Sequence, residues 1–158
     1  MNYDARQQRY DDLVKKEGLK KEARVDYAQV ERLIMRSKKD LQVAKNILDI
    51  DEATALDLVY KSMFHAANAL IRSQGFRPGK VKQHIGVIEA VKRSLGAKIK
   101  PTVLKFGRLR IKRNEFEYQG LYRSSKTEIK NSFQDAKKLI ESIEEYIRKN
   151  NPQRQFKF

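Results

Sequence analysis

The run RIKRNEFEYQG, Arg110 to Gly120, sets arginines, a lysine, an amide and a phenol within a few residues of one another. Guanidinium groups hold phosphate oxygens through paired N–H donors, so this set suits the binding of a phosphodiester or a nucleotide. At about 100° per residue, Arg110, Asn114 and Tyr118 share one stripe of a helix, while Arg113 lies about 140° from Tyr118. Those two converge only if the helix frays near Gly120 or across a dimer interface. Arg113 and Glu117 are also spaced as an ordinary i,i+4 surface pair.

Other titratable chemistry is sparse. The chain has two histidines and no cysteine, which excludes disulfides, thiolate zinc sites and a cysteine nucleophile. His65 sits in the apolar run FHAANAL and reads as a hydrogen-bonded core histidine. His84, near a helix start and the basic stretch, is an accessory candidate. Two histidines without a matched carboxylate pair make no recognisable metal site, and nothing in the sequence implies a cofactor.

The net charge is +15, and its distribution is uneven. Between Arg72 and Arg113 thirteen basic residues stand against one acid, Glu89, so this stretch carries +12 of the total. Within it Lys105, Arg108, Arg110 and Lys112 lead into the motif. A concentration of this kind suits a polyanion, because each neutralised phosphate releases condensed counterions; the alternative is a solvated, solubilising face. The amino-terminal MNYDARQQRYDD is too polar for a secretory signal, and no segment approaches the ~20 apolar residues of a membrane span. The expectation is a soluble, cytoplasmic protein with no membrane partner.

The elements that must position these residues follow a helical period. Behind Asp26 as N-cap, Tyr27, Val30, Leu33, Ile34, Leu41, Ala44 and Ile47 predict one long helix, and Leu56 to Ile71 a second. The short link favours an antiparallel hairpin. Pro78–Gly79 predicts a turn, Ile85 to Leu95 a third helix ended by Gly96, and Pro101 the first turn of a fourth that runs to about Tyr118. Ser125 and Glu128 have capping-box spacing before Ile129, Phe133, Ala136, Ile140, Ile143 and Ile147. The fold class is therefore all-α, an antiparallel bundle of four to five long helices without a sheet. It divides as an appended amino-terminal segment (1–25) with a short helix carrying Tyr10, Leu13 and Val14, a bundle (26–150), and a flexible basic tail (151–158).

Three segments in order, LVYKSMFHAANALIRSQGFRP, KQHIGVIEAVKRSLG and LRIKRNEFEYQG, resemble the HEPN (higher eukaryotes and prokaryotes nucleotide-binding) domain family over about Asp26 to Asn150. The family pattern is an arginine, often followed by a polar residue, then a histidine after four to six positions. Arg113 matches the arginine and Asn114 the polar residue, but Tyr118 stands in the histidine's place. The resemblance implies, in active members, metal-independent RNA cleavage at a homodimer interface. A phenol with an ordinary pKa near ~10 is a poor base at neutral pH, and loss of acid–base help lowers rates by roughly 10²- to 10⁴-fold. Two readings stay open: an RNA- or nucleotide-binding endoribonuclease of a toxin–antitoxin or defence module, with Arg113, Asn114 and Tyr118 at its centre, or a non-catalytic module partnering a nucleotidyltransferase.

Overall fold

The protein is described from a computed structural model covering residues 3–16 and 18–158, with residues 3–9 described by their backbone alone. Six α-helices run in chain order: α1 Tyr3–Lys16, α2 Tyr27–Ile47, α3 Glu52–Ser73, α4 Gln83–Leu95, α5 Lys100–Gln119 and α6 Lys126–Asn150. The all-α bundle read from the periodicity is the architecture observed.

The helix boundaries have local causes. The Asp26 carboxylate accepts from the Gln29 N–H at 3.0 Å and opens α2; Asp51 does the same for Thr54 at 3.1 Å and opens α3. Ser125 and Glu128 form a reciprocal capping box at the start of α6, so two otherwise orphaned N–H groups are satisfied. Helix α3 is central, packing against α2, α4, α5 and α6. It buries Leu56, Val59, Tyr60, Met63, Leu70 and Ile71, and alanines 66, 67 and 69 let its neighbours approach closely.

The expectation of no sheet needs correction. Leu19–Lys21 (β1) pairs antiparallel with Phe76–Pro78 (β2), Leu19 lying opposite Pro78. Strands of three residues are too short to show alternation in a sequence. The ladder forms where backbones nearly touch: a Cβ on Gly79 would run into the Gly18 carbonyl oxygen, and Gly18 adopts φ +74°. It carries the amino-terminal segment into the bundle, where Tyr10, Leu13 and Leu19 join the core and Tyr10 meets Phe76 edge-on at 5.0 Å. Residues beyond α6 fold back on α2. Asn151 is buried and accepts from the Tyr27 hydroxyl at 2.9 Å, and Arg154 and Phe156 cover the Tyr27 ring. The two phenylalanines of the last three residues give this basic segment an apolar reason to dock.

Candidate nucleotide or RNA interface

Helix α5 carries the motif. Pro101 lies in its first turn, and Gly120, at φ +66°, caps its end with an N–H to the Phe116 carbonyl at 3.0 Å. With α3 behind it and α4 and α6 alongside, α5 splits its polar groups between inner and outer faces. Arg113 points inward. Its Nε donates to Asp57 Oδ1 at 2.7 Å, a terminal nitrogen meets Glu117 at 2.8 Å, and the guanidinium lies 5.7 Å from the centre of the Tyr60 ring. Asp57 is shared with Lys61 at 2.6 Å. The cleft between Asp57, Arg113, Phe116 and Tyr122 measures about 20 Å³, room for a water and not for a nucleotide. Tyr118 stands on the opposite side, 79% exposed. Arg113 and Tyr118 are thus not brought together within one chain; Asn114, half-buried between them, makes no side-chain hydrogen bond among the described residues.

The basic stretch is less open than its charge implies. Lys105 pairs with Asp135 at 3.3 Å and Lys112 with Glu128 at 3.1 Å. Arg72 meets Glu22 and Gln29, and Arg93 meets Asp12. Six cations of the stretch have no ion-pair partner among the described residues: Lys80, Lys82, Lys98, Lys100, Arg108 and Arg110. They lie before α4, around the start of α5 and along α5 itself.

A family model for the HEPN domain matches residues 30–146, about three quarters of the chain. The chain belongs to the HEPN family. At family level this carries a nucleotide- or RNA-related function. No curated protein matches the chain. Among the described residues no helix of this HEPN chain is long and apolar enough to cross a membrane, and no group of three or more His, Asp or Glu is placed to hold a metal ion.

A second polar cluster in the HEPN domain lies next to Arg113. Lys82, in the left-handed region at φ 53°, precedes α4 and sets His84 in its first turn. His84 Nδ1 and the Tyr60 hydroxyl share a 2.5 Å hydrogen bond, and the imidazole lies against Phe64 with ring centres 4.5 Å apart. Burial holds the His84 pKa below its ordinary value, and the nearby Arg113 and Arg110 charges push it the same way, so the ring is neutral at pH 7. Burial also raises the Tyr60 pKa above the ordinary phenol value, against the pull of the same arginines, which keeps it a hydroxyl donor. Tyr60 and Asp57 escaped sequence reasoning. In a helix read only for apolar period they look like core and surface, and their one signal was an i,i+3 spacing on the α3 face that meets the motif.

His65 is hydrogen-bonded, as its apolar setting implied: its Nδ1 meets the buried Asp40 at 2.7 Å, and Arg36 holds the other oxygen at 2.8 Å. A far roomier groove, about 1060 Å³, lies elsewhere, between α2 and α6, with Leu41, Leu48, Ile129 and Phe133 among its lining.

Proposed function

We propose that this HEPN domain binds RNA or a nucleotide polyanion on the α4–α5 side, as a homodimer and without a cleaving centre built from Arg113 and Tyr118. The observation that carries this is the state of the cations. Arg113 is neutralised by two carboxylates within 2.8 Å, whereas Arg108, Arg110, Lys98 and Lys100 have no such partner among the described residues. A phosphate gains most from charges that need not first release a carboxylate. The setting that fits is a toxin–antitoxin or defence module, in which the chain serves as a binding module beside a nucleotidyltransferase.

Anisotropy of a labelled single-stranded RNA in chelator, over a salt series, tests the reading. Affinity should fall steeply with salt, and Arg110→Ala, Lys98→Ala and Lys100→Ala should each shallow the log–log slope by about one per lost phosphate contact. Absence of binding at low salt sinks it.

One observation supports a second reading, metal-independent cleavage. His84 is a neutral imidazole beside two arginines, in a position to move a proton where the motif lacks its histidine. Cleavage in the same samples, lost in His84→Gln, would favour it.

A further inference from the structure

Helices α2 and α6 run antiparallel, since Tyr27 at the start of α2 bonds Asn151 just past the end of α6, and Lys38 further along α2 meets Glu144 at 2.5 Å. Beyond that ion pair the two helices bound the groove of about 1060 Å³, which runs on to Glu52 and Lys126. Along α6 it reaches from Lys126 to Glu144, about 27 Å or five helical turns. Leu41, Leu48 and Phe133, all only part-buried, join the buried Ile129 and Ile140 in its apolar lining.

The charges of the groove are matched at its ends and unmatched at its middle. Asp49 and Glu52 line one end, where Lys126 and Lys130 also stand, and Glu141 and Glu144 line the other. Two helical turns take Lys38 to Lys45 along α2, and the same two turns back from Glu144 reach Lys137 on α6. Where Lys38 meets an acid, Lys45 therefore stands level with a lysine. Both lysines are exposed, and neither has an ion-pair partner among the described residues. Two cations facing each other over an apolar lining are the complement of a carboxylate carried by an apolar body.

We propose that this groove receives an acidic amphipathic helix of another protein, its apolar side on Leu41, Leu48 and Phe133 and an acidic residue at its middle between Lys45 and Lys137. A groove bounded by two helices and several turns long fits a third helix laid along it, with anchors spaced i, i+3, i+4 and i+7. A second copy of the chain is a poor occupant, because it brings a net charge of +15 to lysines that already lack acids. RNA is a poor occupant too, since one aromatic ring, Phe133, offers successive bases no stacking platform. No residue of α4 or α5 lines the groove, so the proposal stands apart from polyanion binding on that side.

The probe is a labelled synthetic peptide of about five helical turns, with leucines along one stripe and glutamates on both flanks. Its controls are a scrambled peptide of the same composition and a counterpart with lysine for glutamate. Anisotropy against the full chain should show saturable binding of the acidic peptide, at least about tenfold tighter than either control. Lys45→Glu with Lys137→Glu should weaken it by about tenfold or more, and Leu48→Gln, which leaves every charge in place, should also weaken it. Arg110→Ala, expected to weaken RNA binding, should leave the peptide affinity unchanged. Circular dichroism checks that each variant folds, and the two lysines have no partner in the described chain whose loss would unfold it. Absence of binding by the folded wild type overturns the proposal, as does equal binding of the scrambled peptide or indifference to the paired lysine exchange. Displacement of the peptide by phosphatidylglycerol vesicles, lost in the same lysine variant, overturns it in favour of a lipid surface, and displacement by RNA with that dependence overturns it in favour of RNA.

Discussion

Replacing Arg113 with alanine separates a structural arginine from a phosphate-holding one. The side chain loses a charge-assisted hydrogen bond to Asp57 at 2.7 Å in a part-buried site, a bond of the kind worth about 1.5–3 kcal/mol. It also loses the Glu117 pair, whose basic-first order keeps it near ~0.2–0.5 kcal/mol, and a cation–π contact with Tyr60 worth about 0.5–1 kcal/mol. Asp57 keeps Lys61 at 2.6 Å and so is not left as an unpaired carboxylate, which places the expected loss at about 2–3 kcal/mol. For a chain of this size that lowers Tm by roughly 5–10 °C. RNA affinity of the folded variant should change less than about twofold, since the charge removed was already matched by two carboxylates. Urea unfolding and RNA anisotropy on the same preparation read both quantities. A variant of unchanged stability that binds RNA tenfold more weakly would refute the reasoning, because the guanidinium would then have to leave Asp57 for phosphate.

Three further outcomes follow from named contacts. Tyr118→His should give no RNA cleavage in chelator, since a side chain on the outer face of α5 does not reach Arg113 in its own chain; a gain that disappears with Arg113→Ala would contradict this. Stability should fall as pH drops below about 6.5, because the unfolded chain takes up the proton that folded His84, with its lowered pKa, resists, and the stabilisation is complete above that pH; His84→Gln should flatten this limb of a urea-midpoint profile. Ser125→Ala removes the acceptor for the Glu128 N–H and should cost about 1 kcal/mol in thermal unfolding, with little effect on RNA binding.

The fold was legible where a physical signal is periodic or punctual. Asp26, Ser125 and Glu128 announce helix starts because a capping side chain must be short, polar and next to the first turn, and Gly96 and Gly120 announce ends because few residues other than glycine accept positive φ there. The β1–β2 ladder was not legible, since its partners lie more than fifty residues apart and meet through a glycine contact with no local pattern. At the site, the angular count already put Arg113 and Tyr118 on different faces of α5. It could not say what either face meets. That Arg113 finds Asp57 depends on how α3 docks, and a carboxylate on another helix leaves no trace in the spacing of RIKRNEFEYQG. The basic excess was similarly a correct count with an incomplete meaning, because Lys105 and Lys112 find their acids on α6.

The family match begins at residue 30, yet the core does not. The Tyr10 hydroxyl enters a buried junction where it accepts from the Gln74 amide at 2.8 Å and bonds Ser94, while Tyr146 donates to the other end of the same amide at 3.2 Å. One residue from each of α1, α4 and α6 therefore converges on the end of α3. A shortened chain cut at the family boundary would leave the Gln74 amide without its tyrosine acceptor and open a hole where Leu13 and Leu19 sit. Grafting this domain onto another protein should therefore keep α1 and β1, because the buried core reaches beyond the residues that the family model matches.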